Sequence, residues 1–512
     1  MIGNTSQNNK RIAKNSLLLY CRTMFTMLIS LYTSRVILST LGVDDYGVYN
    51  VVGGFVAMFS LMSSSLTSST QRFITFELGK KNHSQTRAVF SSAVVIHCLL
   101  SIIVLIVAEG IGIWFLNSKM NIPASRIVAA NWVFQCSLLT FIIDIVSIPY
   151  NAMIIAYEKM QAFAYISILE AVLKLSIVIL LPFLHYDKLI IYGILMMMVA
   201  VVIRIVYGIY CNRNFSDSYF IWVKEKKYYK QMTGFAGWNF IGSSSGILTN
   251  YGVNILLNLF FGVAINAARG VATQVDGALN QFVSNFMTAI NPQITKSYAS
   301  GNYTYMMTLI NKGACFSFYL LLFMALPVLF ETQRILTLWL KVVPNYTIIF
   351  VRLSLIYTMC QSLSQTLYTA MLATGKIKRY QLVVGGLSLL TFPISYLFLW
   401  LGYSPISCYI VSISISIICL VARLYMLKPM INLSITFYLK NVVCKILIVL
   451  LASLLVPLLL EFILSYSYLK SIVLIITSTF FTALSVLYLG LNLSERKYIY
   501  STIRNKLLRN GI

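Results

Sequence analysis

Gly42-Val43, Val51, Ile74-Thr75 and Asn82 return 220 positions later as Gly262-Val263, Val271, Ile294-Thr295 and Asn302. With the offset slipped to 218, Tyr150-Asn151-Ala152-Met153 is echoed as Tyr368-Thr369-Ala370-Met371. A register held through six hydrophobic segments predicts an internal duplication. In a membrane protein such a repeat usually means two bundles that rock about a midplane site, which is the anatomy of a transporter.

Working outward, the chain is 59% hydrophobic and 10% charged, with a mean hydropathy of +0.81. A helix needs about 20 mostly apolar residues to cross the hydrocarbon core. Fourteen stretches qualify, at roughly 15–41, 48–70, 88–112, 125–150, 162–183, 189–211, 234–260, 269–291, 309–331, 348–373, 381–401, 404–425, 441–464 and 469–490. The runs are continuous and lack period-two alternation, which argues against a β-barrel. The predicted class is an all-α integral membrane protein with about 14 spans, arranged as six, six and two.

The net charge of +25 would suggest nucleic acid in a soluble protein. Topology accounts for it here. With both termini cytoplasmic, about 27 of the 39 Lys and Arg fall on inner loops, about 9 on outer loops and 3 inside helices. No nucleic-acid partner is expected. The nine cysteines lie in or at the ends of spans without paired spacing, and the three histidines are scattered, so no metal site is expected. The first span is too long for a cleaved signal peptide and is expected to direct insertion itself.

The repeat predicts an N-terminal six-helix lobe over 1–211, a cytoplasmic linker over 212–233 and a C-terminal six-helix lobe over 234–425. Two additional helices and a basic cytoplasmic tail fill 426–512. Six spans separate equivalent positions, so the halves should be parallel repeats about an axis along the membrane normal. The linker run from Tyr219 to Lys227 mixes aromatics and cations, and is expected to form a helix lying in the inner interface. No outer loop is long enough to carry the catalytic acids of a membrane polymerase or glycosyltransferase, and no nucleotide-binding P-loop motif occurs. The chain reads as a mover, not an enzyme; a polysaccharide polymerase and a structural scaffold are weaker readings.

An ionisable side chain inside a span costs roughly 2.5–3.5 kcal/mol on insertion scales and is a functional hypothesis by default. The first half holds Arg22, Glu109, Asp144, Glu170, Lys174 and Arg204; the second holds Asp276, with Arg269 and Arg352 near outer ends. Structural readings stand beside the functional ones. Glu170 and Lys174 share a helix face and can simply pair, Arg22 and Arg204 can snorkel to headgroups, and Glu109 lies near an interface. Asp144 and Asp276 can be neutral or paired with an arginine across the bundle. The runs Ser60 to Thr70 and Gly242 to Gly246 either line a path or let helices pack closely. Asp44-Asp45 is expected to cap the second span.

The stretch Ser34-Arg35-Val36 leading into Leu41-Gly42-Val43-Asp44-Asp45-Tyr46-Gly47-Val48-Tyr49 resembles the opening of Wzx-type polysaccharide and O-antigen flippases. These belong to the multidrug/oligosaccharidyl-lipid/polysaccharide exporter superfamily, and the six-six-two layout extends the likeness over the whole chain. The resemblance implies two MATE-like lobes that turn an undecaprenyl-pyrophosphate-linked oligosaccharide from the inner to the outer leaflet of the bacterial cytoplasmic membrane. Such a cargo serves O-antigen, lipopolysaccharide, capsule or exopolysaccharide assembly. A cationic cavity is also implied, with a first-span arginine matching Arg22. Related drug/cation antiporters often carry an acid in that span, whereas this chain reads Tyr20-Cys21-Arg22-Thr23. A lipid II flippase and a cation-coupled multidrug exporter are the alternatives.

Arg22, Arg35, Lys174, Arg204 and Arg269 are therefore the expected cargo-binding cations, because guanidinium groups offer bidentate hydrogen bonds to a pyrophosphate. Asp144, Glu170 and Asp276 are the candidates for coupling to H⁺ or Na⁺, and no other cofactor is expected. Expected partners are the lipid-linked oligosaccharide, the phospholipid bilayer, a polysaccharide polymerase and glycosyltransferases.

Overall fold

The computed structural model describes residues 2–57, 59–118, 122, 124–340, 343–464, 468–493 and 495–497. Among them it is helical, with no strand. Seven helices come first: α1 (Ile2–Ala57), α2 (Ser60–Gly79), α3 (His83–Ser118), α4 (Ile127–Ala156), α5 (Met160–Phe183), α6 (Lys188–Asn214) and α7 (Lys226–Phe261). Seven more follow: α8 (Val263–Ala299), α9 (Tyr303–Phe330), α10 (Thr347–Thr374), α11 (Lys378–Trp400), α12 (Ser407–Ile431), α13 (Ile435–Ile463) and α14 (Tyr468–Gly490).

Among the described residues, ten helices are long and apolar enough to cross a membrane: α3 to α6 and α9 to α14. The other four, α1, α2, α7 and α8, are not among these ten; they hold the stretches expected as spans 1, 2, 7 and 8, which are one another's counterparts in the repeat. They also hold the polar runs, Ser60 to Thr70 and Gly242 to Gly246 among them. The multi-pass architecture stands, and its most polar helices are the ones duplicated at the start of each half.

The duplication is visible in the backbone. Gly42 interrupts α1 at φ 79, and Gly262 separates α7 from α8 at φ 80. A left-handed conformation is costly for any residue with a Cβ, so glycine at both positions is the physical content of the echoed Gly-Val pair. Thirty-nine positions on, the closing turns match bond for bond. Lys80, Lys81 and Asn82 donate to Phe76, Leu78 and Glu77, as Ser300, Gly301 and Asn302 donate to Lys296, Tyr298 and Ser297. Lys81 and Gly301 both take positive φ, the Schellman geometry that satisfies the last carbonyls of a helix.

The chain divides into two compact units. The first comprises Met1–Ser244, Thr288–Asn302 and Gly375–Gln381; the second comprises Ser245–Met287, Tyr303–Thr374 and Leu382–Ile512. Within the first unit α4 is central, packing against α1, α2, α3, α5 and α6. Its Val133, Phe134, Leu138, Ile145 and Met153 are buried. In the second unit α10 packs against α9, α11's neighbour α12 and the short helix Thr332–Leu340, while α13 and α14 pair with each other and α14 lies on α9. Large apolar side chains cover the outward faces, such as Ile106 on α3, Leu455 on α13 and Ile476 on α14. In water such a surface would aggregate; in lipid it is the expected solvent-facing layer.

The linker departs from expectation. It holds a short turn at Ser216–Ser218 and an irregular stretch to Glu225, not an interfacial helix. Its backbone is instead tied to α3: Arg87 Nε donates to Tyr219 O at 3.0 Å, and Ile221 N donates to Ser91 Oγ at 3.0 Å. Asp217, which is buried, anchors the strap by accepting from Tyr157 Oη at 2.5 Å and bonding His83 Nδ1 at 2.9 Å. Two backbone groups of the strap are thus satisfied by side chains of α3 and not within a helix. Phe220 and Trp222 remain exposed, as the aromatic composition suggests. The carboxylate of Asp45 likewise does not cap a helix, because Arg126 takes it; the side chains of Asp44 and Tyr46 lie outside the described residues.

Candidate functional site

The polar residues of α4 fall on one stripe. Thr140, Asp144, Ser147 and Asn151 follow one another at spacings of four, three and four, one face of a helix of 3.6 residues per turn. Facing them on α6 are Met196, Val199, Ala200, Ile203 and Tyr207, again at three- and four-residue spacing. With Glu170 and Lys174 from α5 and Thr67 from α2, they enclose a cavity of about 370 Å³ inside the first unit.

Three expected site residues therefore meet in one place: Asp144, Glu170 and Lys174. Lys174 Nζ pairs with Glu170 Oε1 at 2.5 Å, one turn apart on α5. Both side chains are about 40% exposed, so the pair is wetted by the cavity and contributes little to stability. Asp144 lies within electrostatic range of both members of the pair. Asn151 Nδ2 donates to Tyr207 Oη at 3.2 Å and bridges α4 to α6. The hydroxyls of Thr140 and Ser147 turn back to Cys136 O and Ile143 O, leaving the carboxylates and the ammonium as the reactive lining.

Arg22 on α1 stands against this cluster. Its guanidinium carbon lies 4.9 Å from the Phe163 ring centre, and its Nε is buried without a hydrogen-bond partner. The Glu170 carboxylate acts on it electrostatically. The first-span arginine is thus held by an aromatic face and a cross-helix field, without a direct ion pair among the described residues. Arg204 takes a different position, stacked 3.9 Å over the Tyr150 ring. Cation–π contacts of this kind are worth roughly 0.5–2 kcal/mol, more when desolvated.

The remaining expected residues lie elsewhere. Arg269 and Asp276 both sit on the part of α8 that belongs to the second unit. Arg269 is buried, 5.8 Å from the Tyr409 ring. Asp276 accepts a hydrogen bond from Thr358 Oγ1 of α10. Arg352 donates to Thr332 Oγ1 at 3.3 Å. The side chain of Arg35 lies outside the described residues, as does the basic tail beyond Lys497. Among the described residues no three His, Cys, Asp or Glu converge as metal ligands.

Two charge clusters escaped the sequence reading. At one end of the first unit Arg126 forks between two carboxylates: Nε donates to Asp45 Oδ1 at 2.6 Å and Nη1 to Asp187 Oδ2 at 2.7 Å. Asp45 is committed to this fork and caps nothing. Asp187 also accepts the backbone amides of Leu189 and Ile190 and caps α6. Partial burial pushes the Asp187 carboxyl up, but Arg126 and the two amides outweigh it and hold it below its ordinary value. Elsewhere in the unit the turn residue Glu158, at φ 60 and only 4% exposed, gathers α1, α4 and the last turns of α8. Its carboxylate accepts from Lys296 Nζ at 2.6 Å, Gln293 Nε2 at 2.5 Å and Arg11 Nη2 at 2.9 Å, and its carbonyl accepts from Asn15 Nδ2 at 3.3 Å. Of the α4 stripe only Asp144 was expected, though the helical period that joins Thr140, Ser147 and Asn151 to it is a signal the sequence carries. The Glu158 node carries no such signal, since its members are scattered from residue 11 to 296.

A family model described as "Polysaccharide biosynthesis protein" matches residues 12–298, more than half of the chain. Among curated proteins none matches the sequence. Solved structures do. A crystal structure of a MATE protein in complex with MaD3S has a TM-score of 0.72 at 12% identity, covering 83% of this chain and 97% of that one. An outward-facing multidrug resistance MATE family transporter of the MOP superfamily has a TM-score of 0.72 at 12% identity, covering 83% and 96%. A MOP superfamily transporter from Pyrococcus furiosus, described as having a binding pocket of reverse polarity, has a TM-score of 0.70 at 13% identity with the same coverage. At these identities the likeness is one of fold. The chain belongs to the polysaccharide biosynthesis protein family and is built on the fold of the MATE transporters.

Proposed function

We propose that this protein is a flippase carrying an undecaprenyl-pyrophosphate-linked oligosaccharide from the inner to the outer leaflet of the bacterial cytoplasmic membrane. Two lobes, residues 1–211 and 234–425, alternate access to the cargo, and the helices of 426–512 are an addition to them. The single observation that carries the reading is Arg22, a first-span guanidinium with a buried, unbonded Nε beside a charged intramembrane cavity. A cation so placed suits an anionic headgroup better than a cationic drug. The pyrophosphate and sugar hydroxyls would otherwise lose their water uncompensated.

The chemistry of the cavity supports a division of roles within this reading. Asp144 would repel a pyrophosphate, and Lys174 is already neutralised by Glu170. Asp144, Glu170 and Lys174 are therefore the coupling group, taking up H⁺ or Na⁺, while Arg22, Arg204, Arg269 and Arg35 serve the cargo anion. Asp276 with Thr358 is the second-unit candidate for a coupling ion. Moving one charge through 100 mV is worth about 2.3 kcal/mol. A dianionic headgroup leaving an inside-negative compartment gains roughly 4–5 kcal/mol if the arginines stay fixed in the field. Cation coupling adds to this drive. A cation-coupled drug exporter is the second reading, favoured by the acids in the same cavity.

Replacing Arg22 with Ala should abolish export of surface polysaccharide at matched protein level. Arg22→Lys should retain part of it, since charge persists without the bidentate fork. Wild-type export from Arg22→Ala would remove the cargo assignment.

A further inference from the structure

The second unit contains a chamber, largely apolar but with charged and carboxamide side chains in its wall, that the transport reading does not use. It has a volume of about 530 Å³, within the roughly 300–1,000 Å³ of small-molecule sites, and lies where α9 begins, α13 begins and α14 ends. Three membrane-length helices starting or stopping together put this chamber at a membrane surface. Two of its walls are π-helical turns, Leu439–Cys444 in α13 and Val486–Gly490 in α14, wide turns that are frequent at functional sites. The wide turn of α13 carries Asn441 into the chamber wall.

The chemistry of the wall is specific. Glu495 is spent, with Oε1 on Lys312 Nζ at 2.5 Å and Oε2 accepting Asn492 N at 2.8 Å. Lys445 meets only a neutral oxygen, Asn492 Oδ1 at 3.3 Å, and among the described residues forms no ion pair. The chamber therefore keeps one uncompensated positive charge. Asn311 lends a buried carboxamide oxygen with no hydrogen-bond donor, which awaits a hydroxyl or amine. Tyr303 and Phe437 line the rim and are exposed, the placement expected of aromatics at headgroup depth. Beside the chamber, α13 turns Leu447, Ile448 and Leu451 outward, an apolar face on which acyl chains can lie.

We infer that this chamber is a binding site for an anionic phospholipid with a hydroxyl-bearing headgroup, whose phosphate takes the charge of Lys445 and whose hydroxyls bond Asn311 and Asn441. A phosphate diester matches the single free cation, and the carboxamides match a polyol in place of a second charge. The exposed α13 face favours a lipid over a soluble phosphate ester. The site is independent of the cargo reading, and its test needs no transport.

The full-length protein, purified in mild detergent, is examined by native mass spectrometry with phosphatidylglycerol, with phosphatidylcholine and with glycerol 3-phosphate. Wild type should retain phosphatidylglycerol several-fold over phosphatidylcholine, with no displacement by glycerol 3-phosphate. Lys445→Ala should lower phosphatidylglycerol retention about tenfold, the loss of one charge-assisted hydrogen bond. Lys445→Gln, which drops the charge but keeps reach to Asn492, should behave alike if the alanine variant fails to fold. Lys445→Arg should rescue, and Lys470→Ala at the far ends of α13 and α14 should change nothing. Equal retention of the two lipids, or unchanged retention in both Lys445→Ala and Lys445→Gln, overturns the site. Efficient displacement by glycerol 3-phosphate overturns the lipid in favour of a soluble phosphate ester.

Discussion

Glu158 joins three parts of the first unit, so its replacement should show how much that joint holds. Its side chain is 1% exposed, against 25% for Lys296 and 48% for Arg11. Removing one member of a buried ion pair costs about 3–5 kcal/mol, because the other charge is left unpaired. Here Arg11 is half in solvent and Lys296 keeps a quarter of its surface, so screening reduces the figure for Glu158→Ala to roughly 2–3 kcal/mol. Glu158→Gln keeps hydrogen-bonding oxygen toward Gln293 and Lys296 and should lose about 1–2 kcal/mol. The backbone adds a discriminating term. Glu158 sits at φ 60, and the turn closing α10 carries Gly375 at φ 75. Glycine avoids about 1 kcal/mol of left-handed strain that alanine bears. The expected order is wild type, Gln, Gly, Ala, read as unfolding midpoints of purified protein titrated with a denaturing detergent. An alanine variant as stable as wild type, or more stable than glycine, would refute the argument from burial and φ together.

Gly42→Ala and Gly262→Ala should each cost roughly 1–2 kcal/mol in the same titration, for left-handed backbone alone, since an added Cβ meets nothing within 4 Å at either site. A penalty at one glycine and none at the other would contradict the equivalence of the two breaks. Arg126→Gln should lose about 1 kcal/mol near neutral pH, discounted for the partial exposure of the fork. Asp187 is held below its unfolded value of about 3.9, so its contribution is present above that pH and is lost as pH falls through the folded value. The difference between wild type and Arg126→Gln should therefore close on acidification below about pH 4, and a constant gap down to pH 3 would exclude the fork as its source. Reporter fusions after Arg213 and Arg379 should read cytoplasmic and one near Lys119 should read external; two reversals would invert the proposed orientation.

The Tyr219 to Lys227 run shows where reading by composition stops. Its aromatics and lysines do suit an interface, but whether the backbone coils depends on its partners. Ser91 and Arg87, far away in sequence, supply two of them, while His83 and Tyr157 hold Asp217 just before the run. Asp45 teaches the same lesson: next to a glycine break it looks like a cap, yet Arg126 takes both its oxygens. In contrast, Thr140, Asp144, Ser147 and Asn151 keep a helical period along one segment, although of the four only Asp144 stood out, through the cost of a charge in lipid.

By itself the sequence determined the all-helical membrane class and the duplication, with the Gly-Val pair that recurs in it. These follow from forces local to the chain: about 20 apolar residues cross a bilayer only as a helix that satisfies its own backbone, and left-handed turns demand glycine. Tertiary structure alone decided which charges meet. It brought Asp144 to the Glu170–Lys174 pair, set Arg22 on Phe163 and Arg204 on Tyr150, and placed Asp276 under Thr358. It also gathered Arg11, Gln293 and Lys296 around Glu158. An intramembrane charge is stabilised by whatever crosses its path from another helix, and that is set by packing angles and helix rotation, which no spacing along a single segment encodes.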